Sequence, residues 1–552
     1  MELFNLVSFL MKKIQNCWFF SQLCKYKDYL ALIFLNIFTN YLFIGYFKFV
    51  SDDWPQLVYS DIAIYPLSHL FLESQRTGQF VLTKIFFDTL GESAFGYHLV
   101  NLITTTVLLI LVYLILKELL KILFLNPTRL AFMGAVFFCI LFNKDELYSW
   151  AALFYDNIAF ALYLASFYLF IQSAKRWYYF YVSWLLFAIA IFIYEIGVLL
   201  PVAYIFYALI EQKNCRNVSF FIIPPIAYML IRLTNWFGYG WMYINRYQNY
   251  FSLNFLSTFI DTCIHNVIAS IGITTINLFY AVLGLLKLNV IFLCILLILD
   301  LIVAGIIVSY FICPLTNSVS KNYERKFIQI ILFCLIGLAF SYITISAHGI
   351  VRPRYLLFID FFVILLLIIL INPLIKTQKH AVILIAIITM CLLINQGLYT
   401  NWVISGEIQD SVNKAIFSHA SDISKGDYFF VNSSDLFRNN PNYVFNIGSK
   451  FSLIVNQNSN QVYYPYLNAE GLAGWSVGAM MRGAQINQTS TTLIYGDEGN
   501  VFVSSENGKI TYKNSITGNY YTIKQSEYYE GNSSNLLVTY ENQRKSNWIF
   551  NE

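Results

Sequence analysis

The sequence predicts an all-α polytopic membrane bundle of about eleven transmembrane helices, followed by an extracytoplasmic domain of α/β or β-rich character. Three observations predict it. Only 12% of the 552 residues are charged and 58% are hydrophobic, whereas an ordinary globular domain is about one-quarter charged. Apolar runs able to cross about 30 Å of hydrocarbon recur from Tyr29 to Leu398, and backbone at that depth is satisfied within helices. Lys and Arg are also strongly one-sided. Sixteen fall in 1–28, 117–129, 174–177, 211–217, 316–326 and 375–380, against six in 50–96, 143–150, 235–265 and 347–354. Because these residues fix membrane orientation, the first group is cytoplasmic and the amino terminus lies inside. A soluble enzyme is excluded.

In chain order, the first 28 residues show no small-residue cleavage site after a short apolar core, so the first span is read as retained. Spans follow at 29–49, 97–117, 129–143, 151–172, 177–194, 196–211, 218–234, 289–312, 327–346, 354–374 and 381–398. Those at 129–143 and 196–211 are short for a crossing and read as tilted hairpin partners. The stretch 267–286 is apolar enough to span. Counting it would put Lys321, Arg325 and Lys326 outside, so it is read as re-entrant or interfacial. The first outer segment, 50–96, groups Leu67, Leu70 and Phe71, then Phe80, Ile85 and Phe87, among polar residues, as in helices lying along a membrane surface. After Leu398 the composition turns to Asn, Ser, Gly and Tyr, with alternating runs such as Tyr428–Val431 and Val501–Val503. Residues 1–398 therefore form the membrane domain and 399–552 a strand-rich soluble domain on the same outer side. All nine cysteines precede Asn401, and no disulfide framework is indicated.

Carboxylates collect on the outer side. Asp52 and Asp53 follow the first span directly, Asp145 and Glu146 occupy the next outer loop, and Glu195 follows Tyr194 at a hairpin tip. Paired carboxylates suit general-base or metal work. Arg352 and Arg354 flank Pro353 on the same side. Acids with a two-arginine clamp are what transfer from an anionic phosphate leaving group needs: the acid activates a nucleophile and guanidinium neutralises phosphate. Isolated loop acids are more often simply solvated, and paired arginines equally serve as interfacial anchors. Within the spans, Asp156, Asp300 and Asp360 are costly unless paired or wet. Asp156 lies near the outer end and is a candidate for the site, while Asp300 and Asp360 are read as pairing between helices.

With these residues in place, the chain resembles the GT-C superfamily of polyprenyl-phosphate-dependent glycosyltransferases. The resemblance rests on Asp52-Asp53, on the hairpin Tyr194 to Pro201, and on Arg352-Pro353-Arg354-Tyr355 before a late span. Asp52-Asp53 followed by Arg76-Thr77-Gly78-Gln79-Phe80 looks like the pattern of bacterial serotype-converting glucosyltransferases that modify O-antigen, although those carry Gly-Arg-Trp where this chain has Gly78-Gln79-Phe80. The resemblance implies Asp52 or Asp53 as catalytic base, with Asp145, Glu146 and Glu195 assisting or binding a divalent metal such as Mg or Mn. It implies Arg352, Arg354 and Arg76 at the donor phosphate, with Tyr194, His348 and Asp156 nearby. Direct displacement would invert the anomeric centre. The implied partners are a polyprenyl-phosphate sugar, a glycan acceptor such as O-antigen or another surface polysaccharide, and the lipid bilayer of a bacterial inner membrane, with no nucleic acid.

A lipid donor enters from the bilayer, which agrees with the lack of a P-loop or Gly-x-Gly-x-x-Gly nucleotide cradle. Gly474-Trp475-Ser476-Val477-Gly478 matches the nucleophile-elbow string, but the last histidine is His419, so the chain order of that triad is missing. Ser411-Val412-Asn413-Lys414 has no supporting motif. No His-x-x-x-His pair suggests zinc. Two alternatives stand beside glycosyl transfer to a glycan. One is a transporter or flippase of polyprenyl-linked glycans using the buried acids. The other is a protein glycosyltransferase, set back by the absence of a Trp-Trp-Asp signature.

Overall fold

In a computed structural model of the chain, residues 26–49, 53, 77–91, 93–211, 215–230, 255–312, 323–348, 351–371 and 378–418 are described, together with seven strands of the tail. The helices are α1 (Lys27–Asn40), α2 (Thr77–Leu90), α3 (Ala94–Leu120), α4 (Thr128–Ile140), the short α5 (Asp145–Ser149), α6 (Phe154–Gln172), α7 (Tyr178–Ile193), α8 (Leu200–Ile210), α9 (Phe255–Leu285), α10 (Val290–Ile312), α11 (Tyr323–His348), α12 (Leu357–Ile371) and α13 (Gln378–Ser418). Six helical stretches are long and apolar enough to cross a membrane, and five shorter apolar helices accompany them among the described residues. The chain is an integral membrane protein built as a polytopic helical bundle.

The few polar side chains of the helices register them against one another. Asn36 of α1 donates to Thr105 of α3 at 3.1 Å, and Tyr113 of α3 donates back to Asp28 at 2.9 Å. The start of α3 is capped by Ser93, whose hydroxyl accepts from the Gly96 N–H at 3.2 Å, supplying one of the donors a helix leaves open at its start. At the centre, α6 is clasped between α3 and α7. Ser166 of α6 donates to the Ser183 carbonyl of α7 at 2.6 Å and accepts from Tyr204 of α8 at 2.8 Å. Such bonds bury hydroxyls that hydrocarbon could not satisfy. Phe167 and Phe170 stack on the Tyr204 ring beside them.

Two expectations change. The stretch 267–286 lies inside α9, a single unbroken helix of 31 residues. It contains no proline, and Thr274 and Thr275 return their hydroxyls to the carbonyls of Ser270 and Ile271. Nothing therefore opens the backbone into a re-entrant turn, and the helix is long and apolar enough to cross. The change of composition after Leu398 falls within α13, which continues to Ser418. Trp402, Val403 and Ile404 are buried, so the bundle extends past residue 398.

In the tail, β1 (Tyr428–Asn432), β2 (Tyr466–Asn468), β3 (Thr492–Gly496) and β7 (Leu536–Thr539) form a parallel sheet in the order β2-β1-β3-β7. β4 (Phe502–Glu506), β5 (Lys509–Lys513) and β6 (Tyr520–Lys524) form an antiparallel meander. Of the surface helices expected in 50–96, α2 is described. An added Cβ on Gly78 would meet the Phe192 carbonyl oxygen at 2.8 Å, which is how close this helix comes to the end of α7.

Candidate functional site

The segments that follow α1, α4, α7 and α11 meet at one end of the bundle, and they carry the charged residues that hydrocarbon would otherwise exclude. Their contacts define the meeting. Asp53 is buried, and its Oδ1 accepts from the Ala152 N–H at 2.5 Å, in the turn that opens into α6. A small cavity beside it is bounded by Phe49, Thr83, Tyr97 and Phe154. Tyr194, the extended residue that ends α7, has its carbonyl held by the Tyr163 hydroxyl at 2.6 Å and its ring 6.5 Å from Tyr355. Glu195 is buried in the turn that follows. Gly197 is obligatory there because an added Cβ would meet the Tyr163 ring at 2.5 Å.

The loop Asn143-Lys144-Asp145-Glu146 is the hub, and every one of its side chains is buried. Asn143 donates to Asp360 Oδ1 at 2.8 Å, and Lys144 Nζ lies 3.2 Å from Asp360 Oδ2. Asp145 is taken up by two other helices: Trp402 Nε1 of α13 donates to its Oδ2 at 2.8 Å, and Asn277 of α9 to its Oδ1 at 3.3 Å. Burial, followed by the neighbouring Glu146 charge, pushes the Asp145 carboxyl up to about 7, against the pull of these two donors. Glu146 Oε2 faces Arg354 Nη1 at 3.8 Å. The Arg354 guanidinium is itself flanked by the rings of Trp150 and Tyr355, each centred 5.2 Å away, an arrangement that suits a partly desolvated cation. Asp156 and Tyr194 contribute to the field at Arg354.

Beside this cluster an apolar groove opens between α8, α11 and α12. Leu200, Phe206, Gly337, Phe340 and Phe358 line it, and Gly197 and Tyr355 close it at the charged end. Gly337 lets α11 and α12 approach closely, since a Cβ there would collide with the Phe362 ring.

Of the residues singled out in the sequence, the structure gathers Asp53, Asp145, Glu146, Asp156, Tyr194, Glu195 and Arg354 at this end of the bundle. Arg352 is half-buried immediately before the turn Pro353–Tyr355. Asp52, Arg76 and the His348 side chain lie outside the described residues, as does Ser476. Among the described residues no three His, Cys, Asp or Glu side chains converge on a point where a metal could sit. N–H donors occupy both Asp145 oxygens. Sequence reasoning missed three participants. Lys144 counted only as an outer base, Asn277 lay in a stretch read as interfacial or re-entrant, and Trp402 lay beyond the composition change taken as the domain boundary. An indole amid a polar run directly after a span was the one available signal.

No protein-family model matches the sequence, and no curated protein matches it. Among solved structures, the chain is similar to ArnT from Cupriavidus metallidurans, crystallised bound to undecaprenyl phosphate. The identity is 13%, the match covers 79% of this chain and 88% of that one, and the TM-score is 0.33.

Proposed function

We propose that this membrane protein is a GT-C-type glycosyltransferase that moves a sugar from a polyprenyl-phosphate donor to a glycan at the periplasmic face of a bacterial inner membrane. One observation carries the reading: an apolar groove reaches Gly197 and Tyr355, chain neighbours of the buried Glu195 and of Arg354, whose guanidinium faces Glu146. A polyprenyl chain is soluble in such a groove, and its phosphate, drawn to the charged end, meets Arg354 and Arg352.

The chemistry requires little more. An Asp52 or Asp53 carboxylate accepts the proton of an acceptor hydroxyl while that oxygen attacks the anomeric carbon. The bond from carbon to phosphate oxygen breaks, and the leaving phosphate carries away the electron pair as a weak base that needs no acid. The guanidinium stabilises the charge that develops there. Attack opposite the leaving group inverts the anomeric centre. The tail sheets would bind the acceptor. O-antigen is the acceptor favoured by the likeness of Asp52-Asp53 and Arg76–Phe80 to serotype-converting enzymes.

The test is sugar transfer by purified protein from a panel of synthetic polyprenyl-phosphate hexoses, with Asp52→Asn and Asp53→Asn beside wild type. Loss of about 10²- to 10⁴-fold in turnover is expected for whichever acid is the base, with an inverted product anomer by NMR. Transfer with retention rules out direct displacement. Absence of transfer with every donor turns the reading toward a translocator, for which Asp300→Asn and Asp360→Asn should stop lipid-glycan movement instead.

A further inference from the structure

Two ion pairs of opposite polarity join the same two segments. On the loop side stand Lys144 and Glu146; facing them, six residues apart, stand Asp360 and Arg354. The inner pair, Lys144 with Asp360, is sealed from its surroundings, with side-chain exposures of 0% and 4%. The ammonium also donates to the Phe138 carbonyl at 2.9 Å and lies 4.4 Å from that ring's centre, while Asn143 takes the second Asp360 oxygen. In the outer pair the arginine side chain keeps 16% of its surface exposed, next in the chain to Tyr355, which lines the groove.

A sealed ion pair is poor evidence for stability, because two apolar side chains of similar volume commonly serve the fold as well or better. What an apolar pair does not do is fix register. Here a slip of one residue would bring Asp145 against Asp360 and leave Lys144 buried alone, a like-charge and desolvation penalty that selects a single alignment. Asp360 lies in the first turn of α12, its own N–H bonded to the Leu356 carbonyl at 2.8 Å. Pinning Asp360 therefore pins that turn and the Pro353–Tyr355 turn before it, which carries Arg354.

We infer that Lys144 and Asp360 are positioning residues that set Arg354 and Glu146 at the spacing a phosphate leaving group requires. The inference rests on the glycosyl-transfer reading above.

The experiment compares full-length wild type with Lys144→Met, Asp360→Leu and the double variant, all in lipid nanodiscs. It measures thermal unfolding, kcat and KM for a polyprenyl-phosphate hexose, and binding of unglycosylated polyprenyl phosphate. Each single variant should lower the unfolding temperature, since each leaves one buried charge uncompensated. The double variant should regain the wild-type unfolding temperature yet keep a KM raised about ten-fold or more, the equivalent of a 1.4 kcal/mol loss. Lys144→Arg, which preserves the charge, should keep most of the donor affinity. A double variant that recovers both stability and KM overturns the inference, since the pair would then serve the fold alone. If wild type transfers no sugar, the functional reading fails by itself, and phosphate-lipid binding still decides: equal affinity of wild type and double variant overturns the positioning role, and weaker binding by the double variant upholds it. If wild type binds no phosphate lipid, both readings fall. Should the double variant not fold, Lys144→Gln with Asp360→Asn removes both charges at closer volume and is read in the same way.

Discussion

Ala151–Gln172, which leads from the site into the middle of the bundle, and Val290–Ser309, at its periphery, are both long and apolar enough to cross a membrane. In the first, 72% of the most apolar stretch is buried inside the protein; in the second, 22%. The buried one is the less apolar of the two. It holds Asp156, Asn157, Ser166 and Gln172 inward, while Ile291, Ile298, Ile302 and Ile306 of the peripheral helix face outward. In water the ranking would be reversed. Surrounded by hydrocarbon, polar side chains find partners only within the bundle, so a helix's polarity reports its distance from the centre. The site lies where polarity concentrates because charge is tolerable only there.

Five substitutions test that contrast. The largest effect is expected at Gly197, against the central helix. Gly197→Leu forces a side chain into the Tyr163 ring and should destabilise by about 3 kcal/mol, seen as a lowered unfolding temperature in nanodiscs. An unchanged value would mean that the interior beside α6 yields to an added side chain.

Next is Asn157→Leu. The Asn157 amide donates to Asn101 at 2.9 Å and to the Leu147 carbonyl at 2.7 Å, tying α6 to α3 and to the charged loop. Leaving those acceptors bare should cost about 2 kcal/mol. The reverse experiment, a second polar residue on the lipid face at Ile302, should impair membrane insertion rather than packing.

Asp145 gives a pH signature. Folded, it keeps its proton up to about 7; unfolded, it releases it near the usual carboxylate value of about 4. The folded state therefore binds more protons across that window, and this group's contribution to stability falls as pH rises from about 4 to about 7 and is flat above. In Asp145→Asn the unfolding temperature should decline less between pH 5 and 7. Equal slopes for variant and wild type would show that another group carries the dependence.

The smallest effect is expected at Gly305 on α10, where an added Cβ meets no atom within 4 Å. Gly305→Ala should shift stability by less than about 1 kcal/mol, in the favourable direction set by helix propensity. A large loss there would show that α10 packs against something in the membrane.

Much of the helical layout was legible because it follows from transfer energetics read residue by residue. A run such as Leu357–Ile371 has no soluble alternative, and the short helices Thr128–Ile140 and Glu195–Ile210 fall where short apolar runs stand in the sequence. Asp360 was read as pairing between helices, yet nothing local named its partners Lys144 and Asn143, more than two hundred residues earlier. Helical periodicity supplied no help, since helices apolar on nearly every face do not announce which face turns inward. Trp402 and Asn277 escaped for the same reason: each looks like an isolated polar tip until the Asp145 carboxylate is set against it.

The sequence by itself determined that this chain lives in a membrane, that its apolar runs are mostly helical there, and that acids and arginines crowd the loops between them, because hydrophobic transfer and charge sidedness are sums over local residues. Only the tertiary structure decided that Lys144, Asp145 and Glu146, three consecutive charges, are claimed by different elements, Asp360, then Trp402 with Asn277, then Arg354. Pairing energy depends on distances between segments far apart in the chain, and those distances exist only once the bundle has closed around them.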